Sequence, residues 1–418
     1  MLIEFSVSNF RSINNRQSLS MLPGKAPEAR HRYSHETGIK ALPNVLRAAA
    51  ILGPNGAGKS TLVEALEFMQ GFVRNSAREG QEGDEIDVTP FLLGAETSSL
   101  ESEFEVVFLL GETRYQYGFI VSEARVHAEW LYVVPKTGRM QRWFERAYDS
   151  NSGSGEWYIN GVVKGERETW RRSTRDNALF LSTAVQLNSE TLKPVFDWFR
   201  TKLRIVKSSQ RLSDSYTAKQ CSSSDSKSKI LNLLGNVDTG ITDLEVLEQE
   251  MSDDNIPASL PDEIKARLKG TTFYDVKAGR HVPGRGTVYL DLDTESDGTR
   301  VLFALAGPWL DVLENGLTLV VDELSNSLHP LAFRHLVSLI NSSSNDSGAQ
   351  LLFTTHDTTI LTGKILHSDQ VNLIEKNVKY ESEIHPLSDF NVRSDEAMQK
   401  GYLGGRYGGL PLIDAELV

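Results

Sequence analysis

The chain has 418 residues, 39% hydrophobic and 24% charged, the balance of an ordinary globular protein of two or three domains. Its formal net charge of −12 at pH 7 disfavours nucleic acid as a partner unless a local basic patch supplies the contact. A single cysteine, Cys221, excludes an internal disulfide and a cysteine-based zinc cluster, and suits a reducing cytoplasm.

Residues 2–7 alternate, with Ile3, Phe5 and Val7 on one face, which predicts a half-buried strand. A chain that opens on a strand pattern carries no expectation of a signal peptide. Asn9-Phe10-Arg11-Ser12 follows, then polar sequence to about Ala41 that reads as loop. Leu46 to Leu52 is an apolar run of strand length, and Leu62, Leu66, Met69 and Val73 recur at helical spacing. Between them, residues 53–61 read GPNGAGKST, with Gly53, Gly58, Lys59 and Ser60 on the G-x-x-x-x-G-K-[ST] pattern. Strand, glycine turn and helix is the setting a phosphate-binding loop needs. The turn lets backbone N–H groups wrap a polyphosphate, and the helix N-terminus adds positive dipole. Asn55, Gly56, Ala57, Gly58, Lys59, Ser60 and Thr61 are therefore expected to bind ATP. Lys59 would reach the β- and γ-phosphates and the Ser60 hydroxyl would ligate Mg²⁺. Arg11 is either a surface charge or a group that reaches the nucleotide.

A glycine- and acid-rich loop, Ala77 to Asp87, comes next. Phe104 to Leu110, Tyr115 to Val121 and Val126 to Val134 predict strands, and residues 142–148 and 156–163 a hairpin, so an antiparallel sheet is expected. Residues 165–270 read mostly helical, including Leu179 to Val185, Leu192 to Leu203 and Ile241 to Met251, with a serine-rich loop or connector at 208–228. From Lys164 to Arg211 eleven basic residues face five acids. This block is either a solvated helical face or a surface for DNA, RNA or an acidic protein.

Val288 to Leu292 reads as strand and Gly298 to Leu313 as helix. The longest apolar window, Val301 to Leu313, contains Pro308 and Asp311 and is too short to span a bilayer. Ser296-Asp297-Gly298-Thr299 opens that helix, a small polar turn suited to a second anion. Leu317 to Val321 is a buried strand ending in Asp322-Glu323. Acids at the carboxyl end of such a strand suit Mg²⁺ at Asp322 and a catalytic base for water at Glu323. Ser325-Asn326-Ser327-Leu328 follows, with small polar residues suited to a dimer interface. Residues 330–340 read as helix, and Leu351 to Thr355 as a strand ending in His356, placed to contact a γ-phosphate. Strands at 370–375 and 383–388 precede a polar tail.

In this order, NFRS, GPNGAGKST, ESDGT, LTLVVDELSNSLHP and LLFTTHD resemble the ABC-type ATPase head of SMC-like proteins. More closely, the chain resembles the ATPases of bacterial phage-defence systems: the abortive-infection RloA-like, PARIS and Septu ATPases and the ATPase half of OLD nucleases. Pro90-Phe91, residues 177–188 and residues 402–411 carry the same likeness. It implies an α/β P-loop NTPase of ABC-head type with an antiparallel β subdomain and a helical insertion. The expected divisions are 1–164, a helical insertion at 165–270, and 271–418. It implies ATP and Mg²⁺ as ligands and hydrolysis as the activity. Ser296, Asp297, Gly298 and Thr299 would form the signature acting in trans, Ser325, Asn326 and Ser327 the D-loop, and His356 the switch histidine. The signature departs from the family in having Asp297 before Gly298, and only Gln81 and Gln116 offer themselves as the Q-loop residue. The expected assembly is a homodimer or higher homo-oligomer through the ATP sites, in the cytoplasm, controlling a separate nuclease or toxin. A repair ATPase of RecF or SMC type acting on DNA is the alternative, and a transporter ATPase a weaker one. The 62 residues after His356 are too few for a nuclease domain of usual size.

Overall fold

Alternation near the N-terminus becomes β1 (Leu2–Ser8), with Leu2, Phe5 and Val7 buried. The computed structural model describes residues 1–24, 32–94, 97–150, 152–207, 212–237, 239–252, 261–390, 392 and 397–411. Arg211 of the basic block lies outside them. Contacts divide the chain into two compact units. The first holds Met1–Lys207, Asn315–Leu324 and Leu336–Val418, and the second Ser208–Glu314 and Ser325–His335.

In the first unit, the stretch read as loop up to Ala41 contains strands β2 (Gln17–Ser20) and β3 (Ser34–Ile39), and β4 (Leu42–Leu46) follows. Their sequences, QSLS and SHETGI, have almost no apolar alternation. The strand conformation comes from pairing with neighbours, β2 on β1 and β3 on β4. β5 (Ala48–Leu52) is buried throughout, and its small side chains suit the middle of a sheet covered on both faces. α1 (Lys59–Asn75) follows, with Leu62, Val63, Leu66, Met69 and Val73 inward. Then come β6 (Ser102–Leu110), β7 (Thr113–Val121), β8 (Val126–Val134), β9 (Gln141–Asp149) and β10 (Ser154–Ile159), an antiparallel meander. They form a seven-stranded sheet in the order β10-β9-β8-β7-β6-β1-β2.

Three short helices, α2 (Arg167–Ser173), α3 (Phe180–Gln186) and α4 (Lys193–Asp197), follow the meander. A buried carboxylate fixes the second of them. Glu129 on β8 accepts from Tyr117 Oη at 3.0 Å, from Arg146 Nε at 3.0 Å, and from the backbone N–H of Phe180 and Leu181 at 2.7 and 3.0 Å. Two free N–H groups of a helix start and one guanidinium thus share one charge, which keeps a fully buried ion pair satisfied. Leu192 to Leu203 reads as one helix in the sequence, but its end turns into strand β11 (Leu203–Val206). The β-branched pair Ile205-Val206 fits the edge of a parallel sheet.

The second unit begins with α5 (Ser215–Gln220) and α6 (Ser224–Gly235), inside the stretch read as a serine-rich connector. Ile241 to Met251, read as helix, is strand β12 (Asp243–Glu250). Leu244 and Val246 match period two, and lie opposite Ala278 and Val276 of β13 (Thr272–Val282). α7 (Asp262–Leu268) lies between them in the chain, and β14 (Gly286–Asp291) completes a three-stranded sheet. The block at 165–270 is therefore helix and strand, not helix alone. α8 (Asp297–Asn315) carries Pro308 in its interior. Proline lacks the N–H that would bond the Ala304 carbonyl. The buried Thr217 hydroxyl supplies it, donating to Ala304 O at 3.1 Å and accepting from Gly307 N at 3.0 Å.

The chain then returns to the first unit through β15 (Thr318–Val321), and α9 (Pro330–Ile340) passes from the second unit to the first. β16 (Gln350–Thr355), β17 (Val371–Lys376), β18 (Ser382–Pro386) and α10 (Met398–Leu403) finish the described chain. The second sheet runs β11-β15-β16-β5-β17-β18, parallel except for β18. Val321 pairs with Phe353, and Thr355 with Leu52, so β15, β16 and β5 all end at one edge.

Candidate functional site

That register brings three separated motifs together. Residues 53–61 leave β5, Asp322-Glu323 leave β15 and His356 leaves β16, side by side. Open parallel sheets bind ligands at this carboxyl edge.

The loop is shaped by glycine. Gly56 and Gly58 have φ of 74° and 108°, a region that side chains rarely enter. A Cβ on Gly58 would also overlap the Ser382 hydroxyl. Behind the loop, hydroxyls form a chain. Thr61 Oγ1 accepts from Ser12 Oγ at 3.0 Å, and Ser382 Oγ lies 2.8 Å from Ser12 Oγ and 2.7 Å from the Ala57 carbonyl. The Thr61 side chain is thus held from behind by β1's loop and by β18. Ser12 and Ser382 were missed in the sequence because single serines have no spacing rule.

Lys59 is buried, and its ammonium donates to the carbonyls of Gly53 at 2.8 Å and Pro54 at 3.0 Å. Burial lowers its pKa, opposed by Glu323 and Asp322. It lies 3.4 Å from His356 Nδ1. An ammonium only donates, so Nδ1 faces it as the lone-pair nitrogen and the ring proton sits on Nε2. Nε2 lies 3.8 Å from Glu323 Oε1. Burial, then Lys59, holds the His356 pKa below its ordinary value, so the ring is neutral at neutral pH.

A buried hydroxyl orders the two acids. Thr354 Oγ1 donates to Asp322 Oδ1 at 2.5 Å and accepts from the Glu323 N–H at 2.7 Å. Glu323 has φ of 53°, which costs a side-chain residue of order 1 kcal/mol and is held by that bond. Thr354 was invisible in the sequence, as one hydroxyl inside an apolar strand. Thr354→Val keeps the shape and removes both bonds. It should lower kcat about tenfold with little change in ATP affinity, as one hydrogen bond to a charged group is worth about 1.5 kcal/mol. Steady-state ATPase assays check it.

The Ser60 hydroxyl and the Asp322 carboxylate are hard oxygen donors, the chemistry that Mg²⁺ prefers. Among the described residues no cluster of three or more His, Cys, Asp or Glu could hold a metal ion.

Arg11 faces the helix that follows the loop. Its guanidinium pairs with Glu64 Oε2 at 2.5 Å and lies over the Phe10 ring at 5.3 Å. Gln116 projects from β7 to Glu105 at 2.9 Å, and Gln81 is exposed in the turn closed by Asp84. Among the described residues no hydrogen bond ties either glutamine to the phosphate loop. In the basic block, Arg171 and Arg172 share Glu168, Arg200 pairs with Asp197 and Lys207 with Glu67, while Arg175 donates to the carbonyls of Ser76, Glu79 and Gly80. Arg171, Arg172, Arg200 and Lys207 thus meet three carboxylates, and the block keeps an excess of positive charge.

In the second unit, Ser296 Oγ accepts from Thr299 N at 3.2 Å and lies 2.9 Å from Thr299 Oγ1, capping α8. Asp297 pairs with Arg300 at 2.5 Å. Glu295, just before, is gripped by both terminal nitrogens of Arg280 on β13, at 2.5 and 2.7 Å. Gly298 packs against the backbone of Ser327: a Cβ there would lie 2.7 Å from the Ser327 carbonyl oxygen. Ser327 itself has φ of 63°. Ser296 to Thr299 and Ser325 to Ser327 thus form one block.

The family model described as "AAA domain, putative AbiEii toxin, Type IV TA system" matches residues 48–362. Comparison with curated proteins finds no match. Among solved structures, the chain is similar to the SMC head domain from Thermotoga maritima, at 14% identity and a TM-score of 0.42, over 92% of this chain and 98% of that one. It is also similar to the Smc head domain with an extended coiled coil bound to the C-terminal domain of ScpA from Pyrococcus furiosus, at 12% identity and a TM-score of 0.41, over 92% and 95%. No helix among the described residues is long and apolar enough to cross a membrane. The fold is α/β, with a P-loop motif between β5 and α1 and acids at the end of β15. Matched over most of its length, the chain belongs to the AAA-domain family of putative AbiEii toxins and type IV toxin–antitoxin systems.

Proposed function

We propose that this protein binds and hydrolyses ATP as a switch in an anti-phage defence system and controls a separate nuclease or toxin. The observation that carries the reading is the convergence of Lys59, Asp322, Glu323 and His356 at one sheet edge. Lys59 would hold the β- and γ-phosphates within the N–H cradle of residues 55–60. Glu323 would orient a water and take its proton, and neutral His356 would donate from Nε2 to the γ-phosphate or that water. Mg²⁺, held by Ser60 and Asp322, would neutralise charge developing on the phosphates. The defence role is supported by the family description and by the motif order set out above.

Two chains would close head-to-tail, Ser296 to Thr299 of one over the γ-phosphate on the other. Ser296 is exposed, so Ser296→Glu places a carboxylate there without the backbone clash that Gly298→Asp would add. Light scattering with ATP and Mg²⁺ tests the closure. Glu323→Gln should accumulate a dimer, and Glu323→Gln combined with Ser296→Glu should stay monomeric while still binding ATP. Equal dimerisation of the two variants would remove the composite site.

A further inference from the structure

At the opposite edge of the six-stranded sheet from the phosphate loop lies a cavity of about 370 Å³. Its walls come from the segments that enter β5, β16 and β17 at their amino ends, and include Arg32, Arg47, Asn341, Ser342, Ser343 and Lys364. Arg47 and Gly53 are separated by the five residues of β5, roughly 16 Å of extended chain, so this is a different place from the nucleotide site.

Three cations line it. Arg47 is 8% exposed, and no carboxylate lies within ion-pair distance of it among the described residues. One guanidinium nitrogen, Nη1, reaches the carbonyls of Ser342 at 3.1 Å and of Arg32 and Asn341 at 3.4 Å. Nε is buried with no hydrogen-bond partner. An arginine so placed has lost its hydration and has no full counter-charge, which is costly. Asp346 opposes this only from a distance, and His35, the other titratable group that feels Arg47, is held below its ordinary pKa and is neutral at neutral pH. Arg32 lies 5.2 Å over the Tyr33 ring and donates to the Lys364 carbonyl at 3.2 Å, and its charge, like that of Lys364, meets no carboxylate among the described residues. Serine hydroxyls and the Asn341 amide stand beside the three charges.

We propose that this cavity binds a small phosphate-bearing molecule, with the phosphate held by Arg32, Arg47 and Lys364. A dianion with three oxygens matches three cations flanked by hydroxyls better than a monoanionic carboxylate does. The volume leaves room for a group of about sugar size beside the phosphate.

The test uses full-length Lys59→Ala protein, in which the nucleotide site is disabled, and calorimetric titration with inorganic phosphate, AMP and acetate. Phosphate should bind, and acetate should not compete with it. Adding Arg32→Ala and Lys364→Ala, both exposed positions whose loss leaves the core intact, should raise the Kd at least about tenfold. AMP binding more tightly than phosphate identifies a nucleotide as the source, and equal affinity identifies free phosphate. No phosphate binding by Lys59→Ala, or the same Kd in the triple variant, overturns the site, as does acetate competing on equal terms.

Discussion

Glu323→Gln is expected to bind ATP as the unaltered protein does and to hydrolyse it about 100- to 10,000-fold more slowly, the range of a lost general base. The exchange keeps size and hydrogen-bonding reach and removes only basicity. The backbone at 323 is held through its N–H by Thr354, a bond that the amide side chain leaves alone. The neighbouring acid should behave differently. Asp322 is buried and bonded to Thr354, and its carboxylate is assigned to the metal, so Asp322→Ala should weaken Mg²⁺-dependent ATP binding itself. Single-turnover hydrolysis beside equilibrium ATP binding separates the two. A Glu323→Gln protein that turns over within a few-fold of the unaltered rate would remove Glu323 from the chemistry.

Lys59→Ala should lose ATP affinity by about 100- to 10,000-fold. Two charge-assisted bonds to phosphate are worth roughly 3–6 kcal/mol together. The ammonium already bonds the Gly53 and Pro54 carbonyls, so it also draws the ends of the loop together. Its lowered pKa reflects burial, offset by Glu323 and Asp322, which keep the cation in place. Folding should survive, because Lys59 lies at the first turn of α1 and the buried apolar positions Leu62, Leu66 and Met69 are untouched. Titration with a fluorescent ATP analogue reads the affinity, and undiminished binding would contradict the assignment.

Much of this was legible in the sequence because its signals are local. The phosphate loop needs its glycines and Lys59-Ser60 in one run, and Asp322-Glu323 and His356 each end an apolar strand. Chain order then places them at one edge, since parallel strands in one sheet share a carboxyl end. Other features depend on partners distant in the chain. β2 and β3 are strands by pairing, with little pattern of their own. β12 carries Glu245, Leu247 and Glu248 beside Leu244 and Val246, a mixture that fits helical and strand periods alike until β13 is seen opposite it. Arg11 follows the first strand as expected but is taken up by Glu64, one turn along α1. Thr354, Ser12 and Arg47 act through burial and contact, which spacing does not encode.

The most direct test of the composite site mixes two inactive proteins. Lys59→Ala lacks a working phosphate loop but keeps its signature, and Ser296→Glu is the reverse. In a head-to-tail dimer of one copy of each, one of the two sites joins an intact loop to an intact signature, and the other has both defects. Neither variant closes on itself, so only mixed dimers form on ATP, each with one working site, and ATPase activity should return to at most about half the unaltered level. If the mixture shows no more activity than the two proteins apart, hydrolysis does not require a partner's signature, and the head-to-tail account is wrong.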